Sequence, residues 1–477
     1  MMHDDPRRWW ALAALALGVL VVGLDATIVN VALPTLADEL DASTSQLQWI
    51  ANAYNLVFAA ALLPAGLLGD RFGRKRLLLA SLALFGVASL GCALASNSGQ
   101  LIAARALLGL GGAGAMPLSM AVLPGLFGER ERAKAVSAWV GATALALPLG
   151  PILGGLLLDR FAWGSIFLIN VPVVIAGLVA IVLLVPESRA SVAPRIDLRG
   201  IALSATGLAL LTFGAIEAGE RGWGDAAVLA ELGGAVALLA LFGWMQVRLA
   251  RTPGGHPLID LALLQRPRYV WATLLATVVS FAVFGLLFVA PQYFAIVEGS
   301  DALGTGLKLL PLIGGLVVGS RAGERLLERL GTKAVLGLGF ALMAGGLAAG
   351  ATTDLGSGYG FAAVWIAVVG AGFGLALPTA MHTALGELSA ERAGSGSALI
   401  QAVRQVGGTL GVALLGTILA AQYAGPGDSR QAFLDGMDTL LLVSAAAAAV
   451  ALLLTLVALP RGAPAAEAAQ SADGIPV

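Results

Sequence analysis

The chain has 477 residues, 58% of them hydrophobic and 12% charged; this is about half the charge that a soluble surface of this size carries, so lipid must cover much of it. A net charge of −1 argues for neither nucleic acid nor a bulk acidic partner. The single cysteine, Cys92, excludes an intramolecular disulfide and a Cys-rich metal site, and its apolar neighbours give it a packing role.

A bilayer core of ~30 Å takes ~20 apolar residues per helix, and about 14 runs meet that requirement or nearly so. The first, Ala11–Leu33, holds Asp25 and Asn30, is too long for a signal-peptide core, and is expected to be retained. Leu47–Leu68 follows, with Trp49, Tyr54 and Phe58 along it and Pro64 and Gly66 at its close. The stretch Gly66-Leu-Leu-Gly-Asp-Arg-Phe-Gly-Arg-Lys-Arg76 then forms a compact basic hairpin with one acid among four bases, before the third run, Leu77–Ala95. Leu101–Leu126 carries Arg105. Ala135–Leu158 carries Gly141, Pro148, Gly150, Pro151, Gly154 and Gly155, and Ser165–Val185 follows it. Ile201–Ala218 and Ala226–Gln246 come next. Val270–Tyr293 holds Phe281, Phe284 and Tyr293, and Leu303–Gly319 is the shortest run and carries Lys308. Ala334–Ala351, Tyr359–Met381, Ser397–Gln422 with Arg404, and Thr439–Leu459 complete the set.

Charge orients this stack. With the N-terminus in the cytoplasm, every Lys and Arg falls in a cytoplasmic segment except Arg160, Arg221 and Arg430 outside and Arg105, Lys308 and Arg404 within spans. The reverse orientation breaks the positive-inside rule at nearly every loop. An even number of spans returns the tail after Arg461 to the cytoplasm, where its Ala-, Pro- and Ser-rich composition predicts disorder.

The basic hairpin has an echo. Asp70-Arg71-Phe72-Gly73-Arg74-Lys75 matches Glu328-Arg329-Leu330-Gly331-Thr332-Lys333, acid for acid, base for base and glycine for glycine. The two lie eight spans apart, where two six-helix halves alone would give six. The expected architecture is therefore all-α and membrane-embedded. Residues 1–186 form an N-terminal six-helix bundle, 187–268 carry two inserted helices with cytoplasmic linkers, 269–460 form a C-terminal six-helix bundle, and 461–477 form a disordered tail. Transporters built from such repeats hold substrate between the halves near the bilayer midplane.

Several segments together resemble one family. The hairpin at 66–76 is similar to the signature loop of the major facilitator superfamily. Leu24-Asp25-Ala26-Thr27-Ile28-Val29-Asn30-Val31-Ala32-Leu33-Pro34 resembles the first-helix motif of its fourteen-helix drug–proton antiporters, and Trp49 to Tyr54 resembles their second-helix entry. Leu101 to Ala113, with Arg105 and Gly109, is similar to the fourth-helix motif of proton-linked facilitators. Ala146-Leu147-Pro148-Leu149-Gly150-Pro151-Ile152-Leu153-Gly154-Gly155 resembles the fifth-helix antiporter motif, and Gly394 to Gly416 resembles the thirteenth span. The resemblance implies the major facilitator fold and proton-driven export of a hydrophobic small molecule by alternating access.

The residues that would carry this chemistry can be weighed individually. Asp25 is the acid deep in a span, where a charge costs ~2.5–3.5 kcal/mol on insertion scales and marks a functional position by default. It would exchange a proton for substrate, with Arg105 paired either to it or to backbone carbonyls; a structural interhelical bond is the alternative for both. Arg404 lies near enough to the span end to reach the cytoplasm. Gly66, Asp70, Arg71, Gly73 and Arg74 are expected to form a conformational latch, in which Asp70 sits near a helix N-terminus and pairs with bases across the two bundles; a topology-setting charge cluster is the alternative. Gly141, Pro148, Gly150, Pro151, Gly154 and Gly155 would give a close-packed, proton-tight seam kinked at Pro151. Asn30, Trp49, Tyr54, Phe58, Phe281, Phe284 and Tyr293 are candidate substrate-wall residues, each also readable as helix packing.

Other signals are set aside. Gly109 to Gly114 fits G-x-G-x-x-G without a surrounding βαβ unit, no Walker A sequence is present, and His3, His256 and His382 form no H-E-x-x-H metal site. No cofactor or metal is expected, and the chain does not read as an enzyme. The expected partners are a small lipophilic substrate, neutral or monocationic, protons and the lipid bilayer, with the protein a monomer in the bacterial plasma membrane. The alternatives are a dedicated exporter of one metabolite, antibiotic or lipid, and a non-transporting receptor or scaffold, which would not need Asp25.

Overall fold

The computed structural model describes residues 7–127, 129–188, 197–252, 257–258, 261–388, 393–423 and 429–460. The expected tail at 461–477, His3 and His256 lie outside these residues, as do the side chains of Asp70, Gly141 and Pro148.

All regular structure among the described residues is helical. The first half holds α1 (Arg7–Glu39), α2 (Thr44–Phe72), α3 (Arg74–Ala93), α4 (Ser98–Leu126), α5 (Glu129–Arg160), α6 (Ser165–Leu168) and α7 (Asn170–Leu184). Next come α8 (Leu198–Arg221) and α9 (Ala226–Arg251). The second half holds α10 (Leu261–Leu264), α11 (Pro267–Ile296), α12 (Ala302–Lys308), α13 (Leu310–Gly350), α14 (Tyr359–Leu385), α15 (Ala393–Tyr423) and α16 (Ser429–Val457).

Short polar loops end the apolar runs with side-chain caps, which satisfy backbone donors that a helix start leaves open. Ser43 and Gln46 form a reciprocal capping box at α2, and Asn97 caps α4. Asp197, Asp225 and Asp301 cap α8, α9 and α12 in the same way.

Eleven stretches are long and apolar enough to cross a membrane by length and composition. One of them, Ala302–Gly350, spans 49 residues and breaks at Gly331, whose φ of 75° and ψ of 169° are not helical. Its two parts, together with α2 and α5 at 29 and 32 residues, bring the membrane-length segments to about fourteen. The tenth segment corrects the short run expected at 303–319. It extends over 302–330, so Lys308 sits near its start rather than at depth. There Lys308 pairs with Glu298, donates to Ser300 Oγ at 2.7 Å, and lies over the rings of Phe294 and Tyr359.

Within the first half α4 packs on α2 and α3, α1 on α5 and α7, and α3 on α7; within the second, α13 packs on α14 and α16, and α11 on α15. The inserted pair α8 and α9 pack on each other, and α8 leans on α15 and α2. The halves meet along two seams, α2 against α15 and α5 against α12, with α1 against α11 between them.

The matched hairpins share geometry as well as sequence. Gly73 and Gly331 both take positive φ, 113° and 75°, where a side chain is disfavoured. Lys75 Nζ donates to the Val182 carbonyl at 2.8 Å, and Lys333 Nζ to that of Leu456 at 3.2 Å. Val182 lies in the last turn of α7 and Leu456 in the last turn of α16.

Candidate functional site

Asp25 lies in mid-α1 and is 0% exposed, as is Arg105 on α4. Arg105 donates from one terminal nitrogen to Asp25 Oδ2 at 2.5 Å, and its Nε donates to the Ile50 carbonyl of α2 at 3.0 Å. Its guanidinium carbon stands 4.9 Å from the ring centroid of Tyr54, whose hydroxyl donates to the Val22 carbonyl at 3.1 Å. The other carboxylate oxygen, Oδ1, accepts from Asn170 Nδ2 of α7 at 3.2 Å. Asn170 also donates to Ser89 Oγ of α3 at 3.0 Å, and Ser89 donates to the Phe167 carbonyl at 2.8 Å. Five helices of the first half thus converge on one ion pair.

A buried pair gains little net stability over an apolar one, whereas breaking it by removing one partner costs about 3–5 kcal/mol. The arrangement is therefore specific rather than cheap. Chemically, the carboxylate can hold either a proton or the guanidinium charge, and Arg105 is held in reach by Ile50 when it lets go. The sequence reading paired Asp25 with Arg105 but missed Asn170 and Ser89. The available signal was a lone Asn in the otherwise apolar run at 165–185.

Residues 150–155 of α5 lie at the seam between halves. Gly150 and Gly154 press on Thr27 and Ile28 of α1. Gly155 faces α12, where a Cβ would stand 2.8 Å from the Ala302 carbonyl oxygen and 2.9 Å from Leu303 Cα. Gly306 of α12 in turn meets the Pro151 carbonyl. Beside this contact the structure leaves an enclosed void of about 10 Å³ lined by Thr27, Pro151, Leu287, Leu309, Leu312 and Ile313, room for about one water. A larger depression, about 700 Å³, opens sideways between α1 and α7 and is lined by Trp10, Leu17, Gly177 and Leu184.

The basic hairpin is tied within its own half. The Glu187 carboxylate accepts from the backbone nitrogens of Lys75 and Arg76 at 3.0 and 3.2 Å, capping α3 where Gly73 offers no side chain. Arg74 donates to the Ala121 carbonyl at 3.0 Å, and Arg71 is exposed and stacked on Phe72. Gly66 has nothing near its Cα face. The expected pairing of Asp70 with bases across the bundles falls on a side chain outside the described residues; within the first half, Glu187 and the Val182 and Ala121 carbonyls engage Lys75, Arg76 and Arg74. Arg404 turns back to Gln401 Oε1 at 2.9 Å, toward the start of α15.

The candidate wall residues are not gathered in one place. Tyr54 and Phe58 stack at 5.8 Å inside the first half. Trp49 faces Phe213 of α8 at 6.0 Å. Asn30 bonds the Ala26 carbonyl of its own helix. Phe281 and Phe284 lie against Gly411 and Gly408 of α15, and Tyr293 donates to Glu298 at the far end of α11.

Comparisons with known proteins agree with the all-helical, membrane-spanning fold. A family model described as Major Facilitator Superfamily matches residues 15–412. The tetracenomycin C resistance and export protein of Streptomyces glaucescens is 34% identical over 434 residues, covering 88% of this chain and 80% of that one. The multidrug resistance protein Stp of Mycobacterium tuberculosis is 33% identical over 411 residues, covering 86% and 75%. Among solved structures, an inward-facing bacterial homologue of the human lysosomal transporter Spinster superposes with a TM-score of 0.67 at 16% identity, covering 97% of this chain and all of that one.

Proposed function

The chain belongs to the major facilitator superfamily, and from that premise we propose that it is a proton-coupled antiporter that exports lipophilic small molecules, neutral or monocationic, from the cell. Membership makes it a multi-pass membrane transporter and not an enzyme. Relatives named for antibiotic resistance, multidrug resistance and export support the direction and the substrate class. Bacterial relatives support a plasma-membrane location, and the distribution of Lys and Arg supports an orientation with both termini in the cytoplasm.

One observation carries the coupling: the fully buried Asp25–Arg105 pair, with Asn170 on the second carboxylate oxygen. A proton arriving at Asp25 removes the charge that holds Arg105 against α1, which loosens α1 from α4. Proton occupancy and substrate occupancy then become mutually exclusive states of one cycle, with Asp25 and Arg105 as the coupling residues. Residues 150–155 would keep the α5–α12 seam tight to protons while the opposite face is open. The hairpin at Gly66, Asp70, Arg71, Gly73 and Arg74 would act as the conformational latch through Glu187. A single proton moving through ~100 mV releases about 2.3 kcal/mol, enough for roughly 50-fold accumulation.

A second reading, a dedicated exporter of one antibiotic, is favoured by relatives named for single compounds, tetracenomycin C and actinorhodin. A receptor or scaffold role leaves the Asp25 pair without a purpose. The test is substrate-dependent proton movement in proteoliposomes bearing an imposed pH gradient, for the natural protein and Asp25→Asn, across lipophilic monocations, dications and neutral drugs. Flux abolished in the variant supports coupling at Asp25. Unchanged flux moves coupling elsewhere, and response to one compound alone selects the dedicated exporter.

A further inference from the structure

Gln48, Asn52 and Asn55 of α2 follow one another at intervals of four and three residues, so they share one face of the helix. Over seven residues this face makes a polar strip ~10 Å long. Gln48 and Asn52 are 1% and 0% exposed, yet none of their four side-chain polar atoms has a hydrogen-bond partner. Buried amides left unpaired are rare in folded proteins. The strip faces the other half of the molecule. Asn55 Oδ1 accepts from Gln405 Nε2 of α15 at 2.5 Å, and the Gln48 side chain lies against Gly416 of the same helix. Between those two points α15 carries Thr409, 2% exposed, whose hydroxyl is also unpartnered. On the flank, Thr417 donates to the Ala215 carbonyl of α8 at 2.7 Å, which walls the seam with the inserted pair.

Among the described residues, nothing inside either half pairs with these groups. The nearby charges are engaged elsewhere, Arg105 with Asp25 on the opposite face of α2 and Arg404 with Gln401. The strip therefore offers paired donors and acceptors and no counter-charge. That combination matches hydroxyl and carbonyl groups on an uncharged molecule and gives a cation no carboxylate to pair with.

We infer that the α2–α15 seam is a hydrogen-bonding subsite for neutral, oxygen-rich substrates, offered by Gln48, Asn52 and Thr409 when the Asn55–Gln405 bond opens. This rests on the exporter reading and narrows its substrate class. In the closed state the amides wait unpaired, which favours opening; in the open state the substrate satisfies them.

The test uses the full chain in lipid nanodiscs and two radiolabelled probes. Chloramphenicol is neutral and carries two hydroxyls and an amide, whereas tetraphenylphosphonium is a lipophilic cation with no hydrogen-bonding group. Asn52→Leu and Thr409→Val preserve shape and remove only unpartnered atoms, so both variants retain the fold, which thermal unfolding checks. Each is expected to weaken chloramphenicol binding by roughly three- to tenfold, the worth of one neutral hydrogen bond, and to leave tetraphenylphosphonium within twofold. Unchanged chloramphenicol affinity, equal loss of both probes, or no saturable chloramphenicol binding to the natural protein overturns the subsite. Export, read as uptake into everted vesicles, separates the two readings. Absence of efflux with the selective binding loss intact sinks the exporter and leaves the subsite, whereas efflux with no selective loss does the reverse.

Discussion

Replacing Gly155 by Ala should shift the protein out of the conformation seen here. The added Cβ would stand 2.8 Å from the Ala302 carbonyl oxygen and 2.9 Å from Leu303 Cα, both backbone atoms that cannot rotate away. Such contacts relax at about 3.5 Å, so α5 and α12 must part by roughly half an ångström or more. Overpacking of this kind costs about 1–3 kcal/mol, and the cost falls only on the conformation in which the two helices touch. The ratio of conformers therefore moves by about 5- to 150-fold toward one with the seam open. The assay places a single cysteine at Ile313, beside the small void, in a Cys92→Ser background. It measures labelling by a membrane-impermeant maleimide from each side. The expected result is faster labelling from the Ala302 end in Gly155→Ala, with none gained from the end that carries the basic hairpin. Equal rates in a protein that remains monodisperse, or a gain from the hairpin end alone, would refute the role of this seam as a gate.

Glu187→Ala should remove the cap from α3, at a cost of about 1 kcal/mol, and speed tryptic cleavage after Arg74 and Arg76; Glu187→Gln, which keeps an acceptor, should show less. Asn170→Leu strips a partner from both Asp25 and Ser89, and should lower detergent thermal stability by an amount equivalent to about 1–3 kcal/mol. An unchanged melting profile would show that Asp25 does not depend on α7. Lys308→Met should leave transport unaltered while loosening the Glu298–Ser300 turn, visible as faster amide exchange at 298–301, because the lysine lies at the end of its segment and not in the path.

Much of this organisation was legible because membrane burial writes itself as runs of apolar residues, and the caps at Ser43, Asn97 and Asp225 sit where those runs stop. The Asp25–Arg105 pairing was legible too, since two opposite charges deep in apolar spans have few other partners. Asn170 was not, because its contact with Asp25 joins residues 145 positions apart and depends on how α7 is rotated against α1. The same limit scattered the aromatic candidates. Trp49 and Tyr54 share a helix, but five residues of helical rotation send one to α8 and the other to Arg105. Lys308 was misplaced in depth because hydropathy alone does not show where a helix begins; Asp301, its cap, did.

Each half is closed by its own last helix. Lys75 and Arg76 find their acceptor at Glu187, more than a hundred residues later, and Lys333 finds Leu456 at a comparable distance. During synthesis the third helix of each half is therefore inserted long before the group that secures its first turn exists. A nascent chain halted short of Glu187 leaves the backbone amides of Lys75 and Arg76 without the acceptor that caps α3.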